Sequence, residues 1–289
     1  MKKNNGAVVL AHTVFILFGL CCLIPMIYLV SSSISNEQDL FVYGYRLIPK
    51  SIDFSAYKYL LHNPAQMLSA YKVTIFITVV GTFLALLVMI MIAYPLSVRD
   101  FKFKRQLSFY LFFTMLFSGG LVAMYLLNVQ YLHLKNNILV YILPALVSPW
   151  YVFMLRSFFA GIPQSLRESA KIDGASEFKI LFQIIVPISK PAIATIAFME
   201  LMIKWGEWYN CMLYITKPGL QTVQYLLQAL MQQSEKLAQA AEVGVNAGNI
   251  PTETVKLAMA VIAAGPIMFI FPFFQKYFVK GMTVGSVKG

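Results

Sequence analysis

The sequence has little charge and few cysteine or histidine residues. Only 12% of its 289 residues are Asp, Glu, Lys or Arg, whereas a soluble domain carries about 25%. This composition excludes a disordered chain and an ordinary water-soluble enzyme. The cysteines Cys21, Cys22 and Cys211 lie in apolar runs without a CxxC spacing. We therefore expect them to be buried apolar side chains and not disulfide or metal ligands.

Apolar residues make up 59% of the chain, and the mean hydropathy is +0.69. A helix needs about 20 apolar residues to cross a bilayer, and six such runs are present. They are residues 8–30, 73–94, 107–128, 138–155, 191–215 and 257–275. The first run is too long for the core of a secretory signal and is interpreted as a retained span. The sequence therefore predicts an all-α integral membrane protein with six transmembrane helices in one domain, residues 1–289.

The net charge of +11 would suggest nucleic acid as the partner of a soluble chain. In a membrane protein, Lys and Arg collect instead in cytoplasmic loops. The basic residues are densest at 99–105, a short loop between two predicted spans. We therefore expect both termini in the cytoplasm and no nucleic-acid partner. Segments 31–72 and 216–256 then form long outside loops, and apolar residues at helical spacing in 223–231 predict an amphipathic helix there.

The predicted cytoplasmic loop 156–190 is the most informative part of the chain. Pro163 marks a helix start, Gly174 supplies a turn, and a second helix is expected from Ser176 until Pro187. The sequence therefore predicts a helix–glycine–helix elbow on the membrane face. The alternative is an ordinary amphipathic surface elbow without a partner.

The spacing in this elbow resembles the motif of the membrane subunits of bacterial ABC importers. Their pattern is Glu-Ala-Ala, three residues, Gly, nine residues, Ile, one residue and Leu-Pro. It stands here as Glu168-Ser169-Ala170, Gly174, Ile184 and Val186-Pro187, with every spacing kept. Ser169 and Val186 are small departures from the pattern.

The resemblance implies that the elbow is a coupling helix, which fits a groove on a separate ATPase subunit. The implied coupling residues are Glu168, Ser169, Ala170, Asp173, Gly174 and Pro187. In this interpretation Ala170 leaves room for the partner's surface, and Glu168 pairs with a basic residue of the partner. Gly174 permits the turn and a close approach of another backbone.

Two further stretches resemble the carbohydrate-uptake branch of that family. Residues 205–208, Trp-Gly-Glu-Trp, are similar to a Trp-Asn-Glu-Phe stretch in the fifth span, with Gly206 in place of Asn. The chain end from Phe273 to Gly289 is similar to the end of maltose-type permeases, closest to the oligosaccharide and aldouronate uptake systems. The resemblance implies that Lys280, Gly285 and Lys288 lie along the ATPase interface.

Three charged residues, Glu200, Lys204 and Glu207, stand at i, i+4 and i+7 in the predicted fifth span. On one helix face they must avoid lipid. One interpretation pairs Glu200 with Lys204 as a structural ion pair and leaves Glu207 near water. The other has Glu207 line the substrate path with Trp205, Trp208 and Tyr209, where rings stack on sugars and the carboxylate accepts hydroxyl groups.

The favoured function is therefore the permease subunit of a binding-protein-dependent ABC importer of a sugar or oligosaccharide in a bacterial cell membrane. The chain has no phosphate-binding loop motif, so a partner ATPase would bind ATP and Mg²⁺, and we expect no cofactor on this chain. A second homologous permease and an extracytoplasmic solute-binding protein complete the expected assembly. The alternative is an ion-coupled transporter that uses Glu200, Lys204 and Glu207. A membrane enzyme is disfavoured because His12, His62 and His133 form no metal or catalytic motif.

Overall fold

The structure is a computed structural model that describes residues 5–62, 64–242 and 253–286. Within these residues the chain forms α-helices and short 3₁₀ and π-helical turns, and its only β-type pairing is an isolated bridge between Ser35 and Ile52. The α-helices are α1 (Asn5–Ser33), α2 (Glu37–Tyr43), α3 (Ser55–Leu60), α4 (Pro64–Ser97), α5 (Lys104–Leu116), α6 (Gly120–Leu126), α7 (Pro149–Ala160), α8 (Gln164–Ile172), α9 (Glu177–Ile180), α10 (Val186–Ile188), α11 (Lys190–Trp205), α12 (Tyr209–Tyr214), α13 (Val223–Glu242) and α14 (Glu253–Ser286).

Three helical segments of the described residues are long and apolar enough to cross a membrane: Val9–Ser33, Pro64–Ser97 and Glu253–Gln275. Three bent helix pairs raise the number to six if each pair is one span. The pairs are Lys104–Leu116 with Gly120–Tyr131, Ile138–Ala145 with Pro149–Ala160, and Glu177–Ile188 with Lys190–Trp205, bent by 113°, 50° and 83°. All six predicted runs are therefore helical, but three of them are not straight helices.

The fifth predicted span, 191–215, is not one continuous helix. Helix α11 ends at Trp205, and the N–H of its C-cap residue, Gly206, donates to the carbonyls of Met202 and Lys204. A new helix, α12, begins only at Tyr209. The third predicted span is also broken, and its second helix, α6, begins at Gly120 with φ of 78°. Glycine tolerates the positive φ at Gly120 better than other residues because it lacks a Cβ.

The cysteine prediction is correct at one position and wrong at two. Cys211 is buried, whereas Cys21 and Cys22 are exposed on α1. In the most apolar window of that helix, no residue is buried by the rest of the chain. A helix that is apolar all round and uncovered by protein is suited to lipid contact, so apolar surroundings at Cys21 and Cys22 do not require a protein core.

The described residues divide into two compact units. The first contains the described residues within 1–67 and 226–266, and the second contains those within 68–225 and 267–289. In the first unit the carboxylate of Glu37 caps the start of α14. It accepts hydrogen bonds from the backbone N–H of Glu253 at 2.9 Å and of Thr254 at 2.8 Å, and from the Thr254 hydroxyl at 2.6 Å. A carboxylate is well suited to these unpaired helix-terminal donors.

Asp53 organises the loop before α3 in the same unit. Its carboxylate accepts a hydrogen bond from the N–H of Ser55 at 2.8 Å and another from the side-chain amide of Asn36 at 3.1 Å. The Ser55 N–H, aided by the Asn36 amide and nearby Lys58, holds the pKa of Asp53 below its usual range. The carboxylate therefore ties the loop to the segment that precedes α2.

The second unit contains the elbow and an apolar core beneath it. The core packs the C-terminal half of α4 against α7, the elbow helices and α11. Its fully buried members include Met89, Ala93, Leu155, Phe159 and Ile180. The core gives the elbow a fixed base on which individual side chains are directed either inward or outward.

Candidate functional site

The elbow has the predicted helix–glycine–helix form. Helix α8 ends with the N–H of Gly174 bonded to the carbonyl of Lys171 at 3.0 Å and the N–H of Ala175 bonded to the carbonyl of Ala170 at 2.9 Å. This pair of bonds is a Schellman motif. Gly174 has φ of 75°, a left-handed conformation that strains residues with a Cβ. Ser176 then caps α9 by accepting from the N–H of Lys179.

The outward face of the elbow carries most of the predicted coupling residues. Glu168, Ser169, Asp173, Gly174 and Pro187 are all exposed. The carboxylate of Glu168 accepts a hydrogen bond from the side-chain amide of Gln164 at 2.7 Å on the same helix. The sequence-based proposal that these residues face a partner is compatible with their exposure.

Two large apolar side chains on this face are not part of the motif. Ile172, in the last turn of α8, is 87% exposed, and Phe178 on α9 is 65% exposed. Single exposed apolar residues are common, but two that flank a polar turn form a surface suited to burial by another protein. Their signal in the sequence was their place beside Gly174, within five residues of the turn.

Ala170 has a different role from the one predicted. It is 8% exposed and belongs to the apolar core of its own unit. A small side chain is needed there because α8 packs closely on that core. The expectation that Ala170 leaves room for a partner's surface is therefore wrong.

Arg167 lies on the same inward face and is not one of the motif residues. It is 9% exposed, and its guanidinium donates to the backbone carbonyl of Phe159 at 2.7 Å and to the hydroxyl of Ser97 at 3.1 Å. The guanidinium carbon also lies 5.5 Å from the centre of the Tyr94 ring. The i, i+3 spacing of Arg167 and Ala170 places both on one helix face, which is the signal that could have identified it.

A second polar contact joins the elbow to α4. The hydroxyl of Tyr94 donates to the carboxylate of Glu177 at 2.5 Å, and the ammonium of Lys171 lies 2.6 Å from the same carboxylate. Partial burial raises the pKa of Glu177, but the hydrogen bonds from Lys171 and Tyr94 and the charge of Arg167 outweigh it and hold the pKa below its usual range. Glu177 is thus held as a charged acceptor.

The charged residues of α11 are buried, as their position in a predicted span requires. Glu200 is 3% exposed and Lys204 is 1% exposed. Among the described residues, the ammonium of Lys204 donates to the backbone carbonyl of Tyr141 at 3.1 Å, and no contact within 4.0 Å joins it to Glu200. The direct ion pair predicted between Glu200 and Lys204 is therefore replaced by a lysine–carbonyl contact, with Glu200 close enough to interact electrostatically.

Glu207 is not on the helix face that carries the other two charges, because α11 ends before it. Its carboxylate accepts from the N–H and the side-chain amide of Asn210, both at 2.9 Å. Its backbone carbonyl accepts from the hydroxyl of Thr222 at 2.5 Å. Glu207 therefore caps the first turn of α12, and the predicted i, i+4, i+7 arrangement is wrong.

The three aromatic residues proposed for a substrate path differ in exposure. Trp205 is 4% exposed, so it does not offer a face to substrate in this conformation. Trp208 and Tyr209 form an edge-to-face pair with ring centroids 5.8 Å apart, and Tyr209 is 43% exposed. Of the three rings, only this pair has surface that a sugar could contact.

The proposed tail contacts fall largely outside the described part of the structure. Lys280 and Gly285 belong to the backbone of α14, but the Lys280 side chain lies outside the described residues, as does all of Lys288.

Comparison with known proteins identifies the family. Residues 74–284 match the binding-protein-dependent transport system inner membrane component family. The polygalacturonan/rhamnogalacturonan transport system permease protein YtcP of Bacillus subtilis is 34% identical over 288 residues, covering 99% of this chain and 100% of the relative. Protein LplC of the same organism is 37% identical, with coverage of 94% and 91%.

A solved structure supports the same assignment. One chain of a bacterial ABC transporter involved in the import of the acidic polysaccharide alginate superposes with a TM-score of 0.80 at 28% identity. The match covers 96% of this chain and 99% of the other chain. The fold is therefore that of a type I ABC importer permease. The chain belongs to the family of inner membrane components of binding-protein-dependent transport systems, in its carbohydrate-uptake branch.

Proposed function

We propose that this permease carries an oligosaccharide into the cytoplasm by alternating access, driven by a separate ATPase that docks on the elbow of α8 and α9. The observation that carries the docking proposal is the exposed tip of the elbow, where Ile172 is 87% exposed beside the left-handed turn at Gly174. A water-exposed isoleucine of this size gains free energy when a partner covers it.

The remaining coupling residues fit the same surface. Glu168 and Asp173 present carboxylates beside the apolar tip, and each is exposed. Such a rim can pair with basic side chains of an ATPase groove and set the orientation of docking. ATP and Mg²⁺ would then be bound by the partner and not by this chain.

The other expected partners follow from the family's architecture. A single six-span chain would need a second homologous permease to enclose a path. A solute-binding protein would dock on the segments 31–72 and 216–256, the two long loops expected outside the membrane. Both chain termini would lie in the cytoplasm, because the basic loop at 99–105 and the elbow would share that side.

The substrate proposed for the first test is an oligomer of galacturonic acid. A relative with 34% identity is named for polygalacturonan and rhamnogalacturonan transport, and the matched structure comes from an importer of alginate, an acidic polysaccharide. Trp208 and Tyr209 are the candidate stacking surface for the sugar. The ion-coupled alternative is not favoured, since Glu200, Lys204 and Glu207 do not share one face and two of them have structural partners.

The docking proposal is tested by exchanging Ile172 for Glu in the tagged, full-length chain co-expressed with its partner subunits. Ile48 provides a matched control, because it is 81% exposed but lies in segment 31–72, which is expected on the opposite side. We expect Ile172→Glu to reduce the ATPase recovered per permease by about tenfold, which corresponds to about 1.4 kcal/mol. Ile48→Glu should leave the recovery unchanged.

Two results would contradict the docking proposal. One is that wild-type permease recovers no ATPase although the second permease is present. The other is that Ile172→Glu and Ile48→Glu recover the same amount of ATPase as the wild type.

A further inference from the structure

We propose that Arg167 and Tyr94 form the joint through which movement of the docked elbow is passed to helix α4. The proposal deepens the proposed function and rests on it. Both residues would be positioning residues: they lie on the inward side of the elbow, away from the surface offered to an ATPase. We call the group of Tyr94, Ser97, Arg167, Lys171 and Glu177 the elbow joint.

The first half of the elbow joint is buried. From α8, the Arg167 guanidinium donates to the Ser97 hydroxyl in the last residue of α4 and to the Phe159 carbonyl near the end of α7. The Ser97 hydroxyl in turn donates to the backbone carbonyl of Tyr94 at 2.6 Å. One planar guanidinium thus fixes α8 against the ends of two other helices, which a flexible ammonium could not do with the same geometry.

The second half lies at the edge of the elbow. Tyr94 donates to Glu177 on α9, and Glu177 pairs with Lys171 on α8. The ring of Tyr94 also lies under the Arg167 guanidinium, 5.5 Å from its carbon. Tyr94 therefore contacts groups from both elbow helices, and a rotation of the elbow must either move the end of α4 or break these contacts.

The surroundings leave room for such a movement. A cavity of about 470 Å³ borders the joint and is lined by Met91, Pro95 and Phe101 as well as by Tyr94 and Glu177. A second, of about 440 Å³, lies beside Arg167 and the end of α4. Because space borders the joint, its directional polar contacts are well placed to set the angle between α8 and α4.

Arg167 also carries a feature expected of a group with two arrangements. Its Nε is buried and has no hydrogen-bond partner among the described residues. A buried unpaired N–H is energetically unfavourable, and such groups call for an explanation. A second conformation of the elbow, in which Nε gains a partner, would relieve this cost and give the two-state element that coupling requires.

The test uses the complete complex, with ATPase, second permease and binding protein, reconstituted in lipid. Tyr94→Phe removes the hydroxyl but keeps the ring, and Arg167→Lys keeps the charge but loses the planar fork. Matched controls are Tyr110→Phe and Arg105→Lys, both at exposed positions. The readouts are the ATPase recovered per permease and the stimulation of ATP hydrolysis by binding protein loaded with galacturonic acid oligomer.

We expect the same amount of ATPase to co-purify with both joint variants as with the wild type. The stimulation of ATP hydrolysis should fall by about fivefold or more. Both control variants should keep the stimulation of the wild type. A purely structural role would lower recovery and stimulation together, because less folded permease would be present. Normal recovery of ATPase together with reduced stimulation of ATP hydrolysis therefore identifies a positioning role.

A double variant tests whether Tyr94 and Glu177 act together through their hydrogen bond. If Tyr94 acts through Glu177, then Tyr94→Phe with Glu177→Gln should be no more defective than the worse single variant. Full stimulation in Tyr94→Phe and Arg167→Lys, with normal ATPase recovery, would overturn the joint and leave the docking proposal intact. Failure of the wild-type permease to recover any ATPase would overturn the proposed function and the joint with it.

Discussion

The ammonium of Lys204 lies 3.1 Å from the backbone carbonyl of Tyr141 and donates a hydrogen bond to it, across 63 residues of sequence. The carbonyl ends a 3₁₀ turn, Ile138–Tyr141, and would otherwise lack a partner from its own helix. Gly81 packs against the lysine stem: a Cβ built there would lie 3.5 Å from both Cδ and Cε. The charge in the fifth span thus joins three parts of the second unit.

Replacing Lys204 with Met should destabilise the permease. The variant keeps the apolar stem but removes the hydrogen bond to the Tyr141 carbonyl and the charge near buried Glu200. A buried acceptor left without a partner lowers the free energy of unfolding by about 1–3 kcal/mol. Adding Glu200→Gln should recover part of the loss, because the uncompensated carboxylate is then absent. Thermal unfolding in detergent measures the effect, with Lys190→Met at an exposed position of α11 as the control. Equal midpoints for Lys204→Met and Lys190→Met would contradict this account.

Hydrogen exchange in the first turn of α14 can test the cap that Glu37 provides. Glu37→Ala removes the acceptor of three hydrogen bonds at the helix start, and loss of a cap lowers stability by about 1 kcal/mol. We expect hydrogen exchange in the first turn of α14 to be faster by several fold, with little change in α4. Glu235→Ala, at an exposed position of α13, should leave the rate unchanged. Unchanged exchange in Glu37→Ala would show that the cap contributes little.

Asp53 predicts a pH dependence with a defined sign. Its pKa in the folded protein is held below the usual range, chiefly by the N–H of Ser55. A lowered pKa stabilises the fold above the usual aspartate range, and this contribution is lost as the pH falls through the folded-state value. Wild type should therefore be more stable than Asp53→Asn at about pH 7, and the difference should shrink towards about pH 3. A difference in unfolding midpoint that stays constant over this range would contradict the assignment.

Substitutions at Gly174 distinguish a requirement for its backbone conformation from a requirement for space around its Cα. A Cβ at this position meets nothing within 4 Å, but φ is +75°. A β-branched residue is strongly disfavoured in that region, whereas Asn enters it more readily. We expect Gly174→Val to lose most ATPase recovery and Gly174→Asn to retain much more of it. Equal recovery with both variants would mean that the left-handed turn is not required for docking.

The parts of the structure that the sequence predicted are those encoded by local patterns. Long apolar runs identified all six helical segments, and Pro163, Gly174 and Ser176 predicted the elbow, because starts, turns and caps depend on neighbouring residues. Gly206 carried a readable signal for the end of α11, since glycine favours helix ends. The apolar residues around it obscured that signal in the predicted span of 191–215.

Contacts between distant segments were not predictable in the same way. The partner of Lys204 is a backbone carbonyl, and every residue has one, so no residue pattern identifies Tyr141. Likewise, the inward direction of Arg167 and Ala170 depends on where α8 packs on the core and not on the motif that names the elbow. Motif residues such as Glu168 were predictable, whereas the residues that hold the elbow in place were not.

The most direct test of the proposed mechanism is uptake of labelled galacturonic acid oligomer into proteoliposomes that contain the complete complex and binding protein. The account predicts uptake that requires ATP on the side of the membrane where the ATPase and Glu168 lie. This uptake should be unaffected when proton and sodium gradients are abolished. It also predicts that Ile172→Glu reduces the uptake in parallel with the amount of ATPase that co-purifies with the permease. Uptake driven by an ion gradient without ATP would contradict the account.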